Sequence, residues 1–305
     1  MAIEKEIWRK DIQEAVFDDN SFLDDAFNAD ENVIGGAVVH IPQSGGAGNI
    51  EKNRSTFPAT IRRRTDTDIV YVLDEYTSDP VKITDADKKE LSYDKRKSVI
   101  GEDTEAVKQL VADDFLYKWA SSLPAGSILL TTGDAVAASA PGATGQRLAA
   151  VLGDLQRAQT EMDAQGVSEA NRFAMIPARL RAQLFPIGSA VIQAMMQNVT
   201  PEERKKGIIG EVCGFKLRSR TKAAIYSNAG TLKAPGAVSA VDDDEAIVCW
   251  QKNAVERAKG TIDFFEDLKN PTEYGDIYSM LVRAGGRRRR ADDTGVITIR
   301  QAKAA

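Results

Sequence analysis

Hydrophobic and polar positions change period repeatedly along this chain, and the changes mark its elements. Residues 3–16 place Ile3, Ile7, Trp8, Ile12, Ala15 and Val16 at helical spacing. Phe22-Leu23 and Ala26-Phe27 form a second apolar cluster among Asp18, Asp19, Asp24, Asp25 and Asp30. This predicts a helical N-terminal arm, weakly tied to the rest of the chain, with its acidity on a solvated face or docked against arginines elsewhere. Val33 to Ile41 then reads as one apolar strand, and Gln43 to Asn53 as a loose polar tip. The chain returns through Thr60-Ile61-Arg62-Arg63-Arg64 and Ile69 to Leu73, which predicts a long hairpin. A lone hairpin is marginally stable in water. It needs a surface, from its own domain or from a neighbouring copy.

Val107, Val111, Phe115 and Trp119 recur every four residues and predict a helix over 102–121. Thr104 is its expected N-cap, and Pro124 and Gly126 end it. Ile128 to Thr132 reads as a strand, followed by an Ala/Gly/Ser loop to Gly145. A second helix is expected over 146–164, with Leu148, Val151, Leu152, Leu155 and Met162 on one side and Gly166 as C-cap. Arg172 to Pro177 reads as a buried strand, then come helices through Leu180 and Leu184 and through Val191, Ile192 and Met195. From 208 onward the pattern is β-rich: 208–217, 224–226, 246–250, 262–265, 274–282, a basic turn, and 296–299. Strands and helices alternate without a βαβ rhythm, so the predicted class is α+β.

Composition narrows the chemistry. The chain has 305 residues, 43% of them hydrophobic, and a formal net charge of −5. An acidic balance argues against a general nucleic-acid binder. One histidine, His40, and two cysteines, Cys213 and Cys249, leave no Ser-His-Asp, Cys-His or zinc-ligand spacing. Both cysteines read as reduced core residues, and no cofactor or metal is expected. The N-terminus has no apolar signal core and no run suits a membrane span, so a soluble chain made in a cytoplasm is expected.

Gly45-Gly46-Ala47-Gly48 lacks the lysine of a phosphate loop and reads as a flexible tip. Asp242-Asp243-Asp244-Glu245 has the oxygen chemistry of a hard-cation site without its loop spacing, and reads as a solvated turn. Arg287, Arg288, Arg289 and Arg290 are four adjacent cations after Gly285-Gly286. They offer inter-subunit ion pairs, a solvated turn, or contact with a phosphate backbone. Charge reversal there is expected to impair assembly more than folding. Arg62 and Arg64 share one face of the expected strand, and contact with a neighbouring chain is the preferred role.

The order of elements carries a resemblance. A helical arm leads to a Gly-tipped β loop ("VVHIPQSGGAG"), then to one long helix ending Asp-Phe-Leu-Tyr-Lys-Trp-Ala. A mixed body comes next with "NRFAMIPARLRAQLF" and, from Gly207 to Leu217, "GxxGExxGFxL"; the chain closes through "NPTEYGDIYSMLVRAGGRRRR". This resembles the major capsid proteins of tailed bacteriophages, with the Hong Kong phage-type (Johnson) fold. The resemblance implies a non-enzymatic shell protein that forms hexamers and pentamers of an icosahedral head around double-stranded DNA. It implies an N-terminal arm over 1–32 and an extended β loop over 33–79. It implies a peripheral domain over 80–125 and 255–285 with a spine helix over 102–121, and an axial domain over 126–254 and 286–305. Ile7, Trp8, Phe22, Gln43, Gly45, Gly46, Gly48, Lys52, Arg62, Arg64 and the four arginines are then the candidate inter-subunit contacts. Partners would be the chain itself, portal, scaffold and decoration proteins, and packaged DNA by weak contact, with no membrane. The chain starts at a short arm, so a separate scaffold is expected, and Lys52 is not expected to crosslink. The location would be the virion, after assembly in host cytoplasm. The runner-up is an encapsulin-like bacterial compartment shell.

Overall fold

The computed structural model describes residues 21–35, 37–46, 49–61, 63–84, 95–186, 200–202 and 208–304. A 3-10 turn, Ser21–Asp25, opens it, followed by β1 (Phe27–Asn28), β2 (Val33–Ile34), β3 (Val38–Gln43) and β4 (Thr67–Val72). Next come β5 (Asp74–Thr77), β6 (Val81–Thr84) and helix α1 (Lys95–Ala120). Strands β7 (Ile128–Leu130), β8 (Ala135–Ala137) and β9 (Gln146–Leu148) lead to α2 (Leu152–Ala164), β10 (Arg172–Pro177) and α3 (Ala178–Leu184). The remaining strands are β11 (Ile208–Val212), β12 (Phe215–Arg220), β13 (Ala224–Tyr226), β14 (Asp244–Gln251), β15 (Val255–Asn270), β16 (Gly275–Arg288) and β17 (Val296–Arg300).

Two sheets form the body. One runs β1-β15-β16-β5, with β6 also on β16, and is dominated by the long β15–β16 hairpin. The other runs β11-β12-β10-β14-β17-β7, with β13 on β14. Alternation along β14 shows how the second sheet is covered. Ala246, Val248 and Trp250 join a core with α1 and the first sheet, whereas Ile247 and Cys249 join a core with Leu155 and Met162 of α2 and Leu180 and Leu184 of α3. Both faces are apolar because both are covered.

Helix α1 has 26 residues, which at 1.5 Å each make a rod of about 39 Å. Val107, Val111, Phe115, Leu116 and Trp119 lie on its buried stripe. Trp119 is the hub: its ring lies 5.5 Å from Trp250 and 6.1 Å from Phe22, and its Nε1 donates to the Glu256 carbonyl at 3.2 Å. Helix, N-terminal segment and both sheets thus meet at one side chain. Gly286 lets β16 pass beneath the helix; a Cβ there would stand 2.4 Å from the Glu256 carbonyl oxygen and 2.5 Å from the Phe115 ring.

Several expectations need correction. Helix α1 starts at Lys95 rather than 102, so Thr104 is a buried interior residue and not its N-cap. The helix expected from 146 starts at Leu152. Residues 146–148 pair instead with β8, because Arg147 is drawn inward to Asp244 (Nε to Oδ1, 2.5 Å) and Asp154 accepts from the Val151 N–H at 3.0 Å. The segment 33–41 is two strands, turned by Gly35 at φ +60°. Arg63 and Arg64 lie outside any strand, since β4 begins at Thr67 opposite Gln43 and the polar tip gives residues before it nothing to pair with. The Asp242–Glu245 stretch is not a solvated turn: Asp243, Asp244 and Glu245 are buried, Asp243 on Lys233 (2.6 Å) and Asp244 on Arg147. The described part of the acidic N-terminal segment, from Ser21 on, is not loosely tied. Asp24 pairs with Arg257 (3.0 Å), Asp25 with Arg218, and β1 runs parallel to β15. The helices expected near residues 3–16 and 191–195 lie outside the described residues.

Candidate functional site

Strands β2, β3 and β4 form a small antiparallel sheet in which side chains alternate between two faces. The inward set is Val33, Val39 and Tyr71, which packs with Ala29, Leu73, Ala258 and Phe27. Val39 is wholly buried. The body therefore supplies the surface that the root of this hairpin needs.

The outward set is apolar as well. Val38 pairs with Val72 and with Ile34, and His40 pairs with Val70. Ile34, Val70 and Val72 are 62%, 48% and 64% exposed. His40 Nδ1 lies 2.5 Å from Asp68 Oδ2, and both side chains are nearly half exposed. Farther out, residues 44–66 carry Ile50, Phe57 and Ile61, each exposed over three-quarters or more of its surface. Of the thirteen large exposed hydrophobic residues among those described, six lie between 34 and 72. Exposed apolar side chains concentrated on one projection mark an interaction surface.

The root is fastened to the β15–β16 body by polar contacts. Gln43 Nε2 donates to the Arg289 carbonyl at 2.7 Å. The Arg289 guanidinium lies 3.7 Å from the centre of the Phe27 ring and 3.2 Å from Glu256 Oε2. Burial pushes both the Glu256 carboxyl and the Tyr71 hydroxyl upward, with the Glu256 charge adding to the effect on Tyr71. At the start of the tip, Gly45 donates its N–H to Asp66 Oδ1 at 2.9 Å, and Arg64 grips Asp66 at 2.7 Å. Those contacts hold the Asp66 carboxyl below the usual range. A Cβ on Gly45 would stand 2.0 Å from the Thr65 carbonyl oxygen, so glycine is required for this approach.

The sequence-predicted contacts divide into two groups. Gly45, Gly46, Lys52 and Arg64 lie on the projecting loop, with Lys52 exposed. Phe22 does not: it is 4% exposed, edge-on to Trp119 and Trp250, and serves the chain's own core. The first half of the arginine run is strand rather than turn. Arg287 and Arg288 end β16, with Arg287 directly across from Glu256. Arg288 is buried, pairs with Asp293 at 2.7 Å and donates to the carbonyls of Trp119 (3.0 Å) and Ser121. It thereby satisfies the C-terminus of α1, where a cation also suits the helix dipole. Arg290 is exposed and paired with Asp292 at 2.7 Å. Ile7, Trp8, Gly48 and Arg62 lie outside the described residues.

The outward face was legible in one signal. Asp68, Val70 and Val72 alternate with Ile69 and Tyr71, so β4 is apolar on both faces, as in a strand covered twice. Among the described residues, no three His, Cys, Asp or Glu side chains gather to hold a metal, and no helix is long and apolar enough to cross a membrane.

No family model matches the chain, and no curated protein matches it by sequence. Solved structures do. The capsid of Ralstonia phage GP4 aligns at TM-score 0.67 and 16% identity, over 92% of this chain and 88% of its own. The asymmetric unit of the cyanophage Pam1 capsid aligns at 0.61 and 11%, over 92% and 89%. The head structure of Helicobacter pylori bacteriophage KHP40 aligns at 0.59 and 10%, over 92% and 89%. This chain therefore shares its fold, over about nine-tenths of its length, with phage capsid chains.

Proposed function

We propose that this chain is the major capsid protein of a tailed phage, which self-assembles into the hexamers and pentamers of an icosahedral head enclosing double-stranded DNA. The observation that carries this reading is end-to-end likeness: about nine-tenths of both chains align with the GP4 capsid chain, with no large part of either left over for another activity. The apolar outer face of the hairpin supports it independently, because that surface is suited to another protein and not to solvent. A single interface need not be strong, since several modest patches act together in a closed shell.

In this reading the segment before β2 is the arm and the β2–β4 hairpin with its tip is the extended loop. Helix α1 and the β15–β16 sheet form the peripheral region, and the seven-stranded sheet with α2 and α3 forms the axial region. The subunit works without catalysis or cofactor. Its further partners would be portal, scaffold and decoration proteins, with weak contact to packaged DNA, and its location would be the virion after assembly in host cytoplasm. Light scattering coupled to size exclusion tests the reading. Capsomers or larger closed species are expected as concentration rises; a single subunit mass at every concentration would contradict it.

A further inference from the structure

We propose that docking of a second copy on the outward face of the β2–β3–β4 sheet takes up a proton through His40 and Asp68; this rests on the shell reading above. The chain contains one histidine. The fold places it in the middle of a strand, facing outward, with Nδ1 2.5 Å from Asp68 Oδ2. Ile34, Val38, Val70 and Val72 lie on the same face as the pair and give it aliphatic neighbours. The titratable group that faces His40 from β4 is Asp68; beyond it lies Asp66, already held by Arg64 and the Gly45 N–H. From β2 and β3 the facing side chains are Ile34, Val38 and Pro42, none of them ionisable.

The occupant is argued from this chemistry. A face of aliphatic groups around a carboxylate, with Arg64 held by Asp66, repels a nucleic acid and suits a protein. The hairpin bears six of the thirteen large exposed hydrophobics described, and the fold is shared with a chain of a capsid asymmetric unit. A second copy of this chain is the partner that meets both conditions.

Proton linkage arises from desolvation. In water an exposed ion pair is worth little. Under an apolar partner, a lone Asp68 carboxylate would be costly, and an imidazolium beside it offsets that cost. The docked state therefore holds a proton on His40. Free histidine gains or loses this proton between about pH 5 and 8. Where the free side chain is neutral, docking must draw the proton from solvent. The docked state binds more protons, so association strengthens as pH falls and weakens by up to about tenfold per pH unit for each hairpin as pH rises.

The test uses the full-length chain without a histidine tag. The subunit concentration at half-assembly is measured by light scattering from about pH 6 to about pH 8 at constant ionic strength. That concentration is expected to rise with pH. His40→Gln is expected to assemble poorly at every pH, because it leaves the carboxylate alone. His40→Gln with Asp68→Asn is expected to regain assembly with a flat pH profile. Calorimetry in buffers of different ionisation enthalpy is expected to show proton uptake on assembly, lost in the double variant. A pH-independent wild-type value, zero proton uptake, or a wild-type slope in His40→Gln would overturn the inference. Failure of the wild-type chain to assemble at any pH would overturn the shell reading itself.

Discussion

Gln43 at the end of β3 donates to the Arg289 carbonyl just beyond β16, across 246 residues of sequence. The contact sets where the projecting loop stops being its own structure and starts being part of the body. Gln43 is also the last residue of β3 to pair, opposite Thr67.

That boundary allows a clean excision. Replacing residues 44–66 by Asn-Gly joins the paired ends through a two-residue hairpin turn, which matches the twist of antiparallel strands. The variant is expected to fold, with thermal unfolding and circular dichroism close to the parent, and to form no shells. Normal particles from it would remove the loop from the assembly account.

The two faces of the hairpin sheet should respond oppositely to charge. Val39 is fully buried against the body, and Val39→Asp is expected to cost several kcal/mol through an unpaired buried carboxylate, enough to impair folding. Val70 is half exposed on the outward face, and Val70→Asp is expected to stay within about 0.5 kcal/mol in urea denaturation while blocking assembly. Equal stability losses in the two variants would contradict the division of faces.

The arginine run should split in the same way. Arg288 binds the end of α1 and Asp293, so Arg288→Met is expected to lose about 3 kcal/mol of stability. Arg290 makes an exposed pair, and Arg290→Ala is expected to shift stability by less than about 0.5 kcal/mol. The expectation that charge reversal across the run impairs assembly more than folding therefore does not extend to Arg288, which is buried. Chemical denaturation of the two single variants measures the difference.

Glu245 gives a pH dependence of known sign. It is buried on β14, and burial pushes its carboxyl up to about 7, with Arg179 and Lys222 pulling partly back. The folded state therefore holds a proton that the unfolded chain releases near the ordinary carboxylate range. Its favourable contribution is full below about pH 4.5 and is lost as pH rises through about 7. Glu245→Gln is expected to be more stable than the parent above neutrality, on the order of 2 kcal/mol, and to flatten the profile between those limits. Urea melts at acid and alkaline pH measure this; an unchanged slope would exclude Glu245 as its source.

Much of the fold was legible because burial leaves a period in the sequence. The four-residue recurrence ending at Trp119 marked α1, and the unbroken apolar run Phe173 to Ile176 marked a doubly covered strand. What misled were polar residues committed at long range. Arg147, Asp244 and Arg288 look like surface groups, yet each is buried against a partner far away in sequence, a pairing that local pattern does not encode. Gly285-Gly286 read as the entrance to a turn, when these glycines are the thin stretch of β16 over which Phe115 and Leu73 pack. The hairpin was visible as an element, and the apolar run Ile69 to Val72 was the one sign of its outward face; which of those residues the body covers is not encoded locally.

Electron microscopy of the purified full-length chain at high concentration tests the central claim most directly. The account predicts rings of five and six subunits and closed icosahedral particles built from them. A field of isolated subunits at every concentration, with the hairpin intact, would contradict it.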